Sequence, residues 1–327
     1  MRLKSLAARP ESGKRSLDSS NAFTSLDERL GVAQVSKDET GKADNATPTV
    51  KPFLQVRVSR LEPEAELVGF CAGYEGGAWR SDAFARYLIR NLPQFALPLE
   101  EWERFDTATG VEQLGRAARA IYTTKKYQNR GEVGELLLFS IMRDYYQSEP
   151  VVSKFYFKSS SNETVKGFDG VHVVSGQDGL ELWLGEVKFY TQLSAAVRDV
   201  LAELSDHLEY DYLRDEFMWI EHKMGDGCAH SDEIRQLLDD STSLDEVFKH
   251  VHIPVLLTYR SKTVECHSVV DDQYKEEIAS ELSKHFDSFR QKELPGNVGI
   301  HLILVPLAGK AKLLRSFDDR LKGLQQL

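Results

Sequence analysis

Three charged residues, Asp169, Glu186 and Lys188, carry the chemistry that the sequence can be read for. They lie in the stretch Lys166–Tyr190, KGFDGVHVVSGQDGLELWLGEVKFY. Two apolar, β-branched runs flank the turn Ser175-Gly176-Gln177-Asp178-Gly179, which is the pattern of a β-hairpin. Strand side chains alternate between faces, so Glu186 and Lys188 share one face and Val187 points to the other. Pairing the two runs through the turn brings Asp169, at the start of the first, close to both. Two carboxylates and an ammonium then converge on an otherwise apolar sheet. Burying them is costly unless something compensates, and a divalent cation is the usual compensation.

The elements around the hairpin must hold these groups in place. Upstream, Gly131-Glu132-Val133-Gly134-Glu135 leads into Leu136–Phe139, Ile141 and Met142, a helix apolar nearly all round and therefore buried. Glu132 and Glu135 share a face of it. Glu132 fits the N-terminal end of a helix dipole; Glu135 lies deeper and calls for a metal, a lysine or water, and Glu132 competes with it for that role. VVSKFYF (Val151–Phe157) reads as a strand before the hairpin. After Lys188, a helix with Leu193, Val197, Val200, Leu201, Leu204 and Leu208 on one face is expected, capped by Ser194. An acidic, aromatic segment (Glu209–Trp219) and a polar helix follow. His252–Arg260 and Asn297–Pro306 read as buried strands, and two helices follow them: Tyr274, Ile278, Leu282, Phe286 and Phe289 mark one, and Leu313, Leu314, Phe317, Leu321 and Leu324 the other. From residue 131 the order is helix, three strands, helix, strand, helix, strand, helix.

Residues 1–50 are polar and without sustained period, the composition of a mobile arm. Residues 51–108 read as a small N-terminal α/β module: strands at Leu54–Leu61 and Leu67–Gly73, then a helix from Ser81 that Pro93 and Pro98 break. Residues 109–327 form the domain with the charged hairpin. Gly73–Gly77 lacks a phosphate-loop pattern and reads as a turn. Arg116, Arg119, Lys125, Lys126 and Arg130 make the densest basic strip, placed just before the charged site. The net charge is −10, from 41 basic and 51 acidic residues, which excludes a nucleic-acid coat protein with a globally basic surface. Cys71, Cys228 and Cys266 form no CxxC pair, and Cys228 with His222 and His230 matches no zinc spacing. No apolar run reaches the roughly 18–20 residues of a membrane span, and the opening residues lack a signal-peptide core. A cytoplasmic location, away from membranes, is expected.

Asp169, then Glu186-x-Lys188 after a turn, behind a helix carrying Glu135, resembles the PD-(D/E)xK nuclease superfamily, with Phe168 where the usual proline stands. The resemblance implies a restriction-endonuclease-like α/β core, a mixed sheet flanked by helices. It also implies phosphodiester hydrolysis. Asp169 and Glu186 would bind Mg²⁺, or Mn²⁺ in its place, with the Val187 carbonyl assisting and Glu135 completing a second metal site or ordering metal-bound water. Lys188 would orient or deprotonate the attacking water and stabilise the developing charge. Gln192, just after the ExK strand, could contact a scissile phosphate, but solvent exposure is the better account of it; His172 points away from Asp169 and is structural. RGEVGELLLF, KGFDGVHV, LWLGEVKFY and PVLLTY are together similar to the HamA nuclease subunits of the Hachiman anti-phage defence system, over roughly 51–310. That likeness implies a DNA substrate and a helicase partner, HamB. Two other functions remain open on the residues: a non-catalytic adaptor that keeps the fold to bind DNA or protein, and a stand-alone restriction-type endonuclease.

Overall fold

The computed structural model describes residues 52–63, 65–98, 101, 109–121, 131–152, 167–176, 179–224, 228, 230–295 and 298–327. These all fall within one compact unit, residues 39–327. The expected arm at 1–50, the tip of the hairpin turn, the boundary at 108, and Lys125, Lys126 and Arg130 of the basic strip lie outside the described residues.

The frame is a seven-stranded mixed sheet in the order β1-β2-β9-β8-β7-β6-β5. Its strands are β1 (Gln55–Leu61), β2 (Glu66–Cys71), β5 (Glu149–Val152), β6 (Gly170–Gly176), β7 (Gly179–Phe189), β8 (Val251–Arg260) and β9 (Gly299–Leu307). β3 (Tyr74–Glu75) and β4 (Ala78–Trp79) form a separate small ladder through the Gly73–Gly77 turn. β2, β9, β8 and β7 run parallel, while β1 and the pair β6 and β5 are antiparallel additions at the two edges. Central parallel strands are covered on both faces, and β2, β8 and β9 accordingly carry near-continuous buried apolar runs. This is the expected mixed sheet flanked by helices, consistent with a restriction-endonuclease-like core.

Ten helices flank the sheet among the described residues: α1 (Ser81–Ala96), α2 (Gly110–Ala120), α3 (Glu132–Tyr146), α4 (Leu193–His207), α5 (Tyr210–Lys223), α6 (Ser231–Leu238), α7 (Leu244–Val247), α8 (Lys262–Cys266), α9 (Asp272–Arg290) and α10 (Lys310–Leu324). α3 packs on β6 and β7, with α1 against it and α2 and α10 against α1. Its approach is close: a Cβ at Gly134 would stand 2.7 Å from Val187 Cγ1 and 2.9 Å from Phe189 Cβ, so only glycine fits. α4 covers β7 and β8, and α9 lies against β1 and β2. All five apolar residues expected to mark α9 are buried, and Asp271 caps it by accepting the Tyr274 N–H at 2.8 Å. Among the described residues no helix is long and apolar enough to cross a membrane.

Three local expectations differ from the structure. Ser194, expected to cap α4, is its second residue, with Gln192 at the N-cap. The stretch read as a small N-terminal module contributes β1 and β2 to the main sheet, because β2 pairs in parallel with β9, the last strand in the chain. Pro93 lies inside α1, which runs on to Ala96 and ends with Leu97 N–H donating to the Pro93 carbonyl at 3.0 Å. A proline removes a helix hydrogen bond, and the burial of Leu92, Pro93, Phe95 and Ala96 outweighs that loss.

The sheet also buries a polar chain at the end where its parallel strands begin. Glu66 on β2 meets His301 Nδ1 on β9 at 2.5 Å, and His301 Nε2 lies 2.9 Å from His252 Nδ1 on β8. Trp183 on β7 stacks on His252 at 5.0 Å and donates to Glu181 at 3.0 Å. The expected structural residue, His172, is buried between Phe139 and Ser148, whose hydroxyl is 3.0 Å from Nδ1.

Burial, and then the positive charge of Arg143, hold the His172 imidazole down to about 3. This folded value lies below the unfolded value of about 6.5. The contribution of the neutral ring is therefore intact above that pH and is lost as pH falls through it. Acidification from pH 7 to 5 should cost about 2 kcal/mol through this one group. Urea unfolding at both pH values should show His172→Gln losing about 2 kcal/mol less than wild type. Equal losses would remove His172 as the cause.

Candidate active site

β6 and β7 form the hairpin, paired from Gly176–Gly179 at the turn to Gly170–Gly185 at the far end. β6 starts at Gly170, so beyond Gly185 the edge of β7 is open. Asp169 fills that opening. Its N–H donates to the Gly185 carbonyl at 2.8 Å, and its Oδ2 accepts the Val187 N–H at 2.9 Å. One strand residue directs its N–H and C=O to the same edge, so the Val187 carbonyl faces the side where Asp169 sits. Glu186 and Lys188 flank Val187 and point to the face covered by α4.

Both are taken out of water. Glu186 is 1% exposed and Lys188 7%. Burial most of all, and then the Asp169 charge, push the Glu186 carboxyl up to about 7, against the lowering pull of His207 and Lys188. His207 Nδ1 lies 2.6 Å from Glu186 Oε1. The Lys188 ammonium donates to Glu203. Burial alone would lower the Lys188 pKa; Glu203, Glu186 and Asp169 outweigh it, and the net shift is upward.

Both partners come from α4, and the geometry is that of a helix laid back along the strand it follows. The chain reverses after β7, so the later residue of α4 meets the earlier residue of β7. Four helical residues span about 6 Å, and two strand residues about 6.7 Å. Glu203 therefore reaches Lys188 while His207 reaches Glu186. The buried side of the same helix, Ala196, Val200 and Leu204, provides the apolar packing.

α5 secures the loop that carries Asp169. Glu216, itself buried, accepts the Phe168 N–H at 3.3 Å. The Tyr212 hydroxyl takes a hydrogen bond from the Gly167 backbone, and burial pushes its pKa up to about 12. Tyr212 also stacks on the His207 ring at 4.6 Å, and Phe168 meets that ring edge-on at 5.2 Å.

The structure thus brings Asp169, Glu186 and Lys188 together. α3 lies over the Val187 and Phe189 face, and Glu135, the residue after the Gly134 contact, has its Oε2 buried. Glu132 is the first residue of α3 and partly exposed. Gln192 is exposed at the N-cap of α4. Glu203, His207, Tyr212 and Glu216 escaped the sequence reading. The signal was present: Glu203 and His207 are four apart on the polar side of an amphipathic helix that directly follows the charged strand. Lys310, at the start of α10, was also unforeseen; it donates to the Phe189 carbonyl beside the same end of β7, and burial lowers its pKa.

The donor set suits one kind of ion. Among the described residues no three His, Cys, Asp or Glu side chains group as a metal cage. Mg²⁺ needs no such cage, since one or two carboxylates hold it and it retains water. Two carboxylates beside a carbonyl oxygen fit that requirement and do not fit the closed nitrogen and sulfur set of structural zinc. Cys71, Cys228 and Cys266 are in no disulfide.

A comparison with protein-family models matched the HamA family over residues 48–321. A search of curated proteins returned no match. The matched span contains the whole hairpin, α3, α4 and α5.

Gly167 has φ +112°, and a Cβ there would stand 2.5 Å from both Glu216 carboxylate oxygens. Gly167→Ala should lose about 1–3 kcal/mol of stability from the strained backbone and the displaced carboxylate. Thermal melting should show it as a lowered Tm, and an unchanged Tm would mean that the loop is not held as described.

Proposed function

The chain belongs to the HamA family, and we propose that it is the nuclease effector of a Hachiman anti-phage defence system, hydrolysing DNA phosphodiester bonds with Mg²⁺ and acting with the helicase subunit HamB. The observation that carries this reading is the convergence of Asp169, Glu186 and Lys188 at the open end of β7, with the Val187 backbone between them. Two carboxylates and an ammonium, two of the three buried, have no structural need to share one strand end. A sheet-surface ion pair would account for Lys188 and one carboxylate only.

Asp169, Glu186 and the Val187 carbonyl are the groups to hold Mg²⁺, which when bound supplies charge neutralisation at the phosphate and a water of lowered pKa. Lys188 is the only cation within the carboxylate pair's reach that the strand itself provides. Its ammonium orients the attacking water and meets the negative charge that develops on the phosphoryl oxygens. In the structure it is donated to Glu203, whose side chain is 44% exposed, so an arriving phosphate competes for it with a partly hydrated carboxylate. Burial raises the Glu186 carboxyl to about 7, and added positive charge favours the ionised form that would hold the ion.

The acidic balance of the chain supports a partner. A net charge of −10 repels DNA at long range, so the substrate benefits from delivery by another subunit. The helicase of the same system answers that need.

Purified protein with its helicase should degrade plasmid DNA in Mg²⁺ and stop in EDTA. Lys188→Ala and Asp169→Asn should each reduce the rate at least about 100-fold. Glu135→Gln, which would remove the carboxylate expected to complete a second metal site or order metal-bound water, should also reduce the rate. Equal degradation by wild type and Lys188→Ala would refute the assignment. Failure of wild type to cut under any of these conditions would favour a binding adaptor.

A further inference from the structure

We infer that His207 is a positioning residue of the centre, orienting Glu186 so that one carboxylate oxygen is presented to the divalent ion. The inference rests on the metal-dependent reading given above and adds a residue to it that lies outside the set Asp169, Glu186 and Lys188.

Three observations carry it. His207 Nδ1 stands 2.6 Å from Glu186 Oε1, short for a nitrogen–oxygen hydrogen bond and typical of one involving charge. An ionised carboxylate only accepts, so Nδ1 must carry the proton and donate whenever Glu186 is charged. Oε1 is then committed to the protein, and the second oxygen, Oε2, is the one that can face the ion. Asp169 is tethered in the same manner, with Oδ2 on the Val187 N–H. Each carboxylate is thus pinned through one oxygen by a protein donor.

The imidazole is itself held. Tyr212 stacks on one side at 4.6 Å with an interplanar angle of 14°, and Phe168 packs edge-on at 5.2 Å. Its side chain is 16% exposed. A ring fixed by α5 and by the residue preceding Asp169 cannot follow Glu186 if that carboxylate swings; it sets the rotamer instead. Donors of this kind behind a ligating carboxylate commonly contribute 10–100-fold in metal affinity. The ring also couples the two carboxylates mechanically, because Phe168 adjoins Asp169 in the chain.

Mn²⁺ titration of the full chain tests this, by calorimetry and by electron paramagnetic resonance of free Mn²⁺, with no substrate and no turnover. Wild type should bind, and Asp169→Asn should abolish binding. His207→Leu should weaken it about 10–100-fold. His207→Asn, whose side-chain amide nitrogen sits close to the position of Nδ1, should recover most of the loss. Should His207→Leu fail to fold, His207→Gln serves in its place: it stays polar but carries its donor one bond further out, and it should also weaken binding. Unchanged or tighter binding in both His207→Leu and His207→Gln, with wild type still dependent on Asp169, would overturn the role of His207 and leave the metal reading standing. No Mn²⁺ binding by wild type, or binding indifferent to Asp169, would overturn that reading and this inference with it.

Discussion

The Glu186 carboxylate is the constraint around which the structure is arranged. It sits almost wholly out of water on the second strand of a hairpin, with another carboxylate and an ammonium close by. An unpaired charge there would cost several kcal/mol. Every nearby element bears the mark of that cost. β6 begins late enough to leave the end of β7 open for Asp169, α4 brings an imidazole and a carboxylate to the buried face, and α5 grips the loop that delivers Asp169. None of these contacts is needed to bury apolar area. They are needed to keep two buried charges and a half-buried third together without losing the fold.

This division of labour explains why the two faces of the sheet differ around β7. On the α3 side the strand shows Val187 and Phe189, and Gly134 lets the helix backbone come as close as van der Waals contact permits. Tight apolar packing there fixes the height of the strand. On the α4 side the contacts of Glu186 and Lys188 are polar and exchangeable, because a hydrogen bond can be traded for a ligand whereas a packed methyl group cannot. A centre that must admit an ion and a phosphate is best placed where its own side chains have partners that can be displaced, backed by a layer that does not move. Glu203, on the partly exposed side of α4, is the partner nearest to solvent, and His207 the one held from both sides.

Much of the fold was legible because buried parallel strands and amphipathic helices write their periods into the sequence. The runs at His252–Arg260 and Asn297–Pro306 read as covered strands and are β8 and β9; the five apolar marks of α9 are all buried. Long-range pairing was not legible. Nothing in Leu67–Gly73 says that it will lie beside a strand more than two hundred residues later, so the first strands looked like a module of their own, whereas they complete the main sheet. Pro93 misled for a related reason. Its local cost is fixed, but the burial that offsets it depends on α2, α3 and α10 packing against α1, which is tertiary information.

The candidate site divides along the same line. Asp169, Glu186 and Lys188 could be found because strand alternation and a tight turn fix their relative positions within 20 residues. Glu135 was read as a member from its place in an apolar helix, and helical period alone does not say which face of β7 that helix will cover; α3 covers the Val187 and Phe189 face, with one Glu135 carboxylate oxygen buried. The missed pair, Glu203 and His207, follows a rule that the sequence does obey. When a helix folds back on the strand before it, its rise of about 1.5 Å per residue against about 3.3 Å in the strand makes i,i+4 on the helix match i,i+2 on the strand, in reverse order. A charged pair two apart at a strand end should therefore be read together with the polar i,i+4 pairs of the next helix. Here that reading selects an acid for the lysine and an imidazole for the glutamate, and the structure makes both contacts.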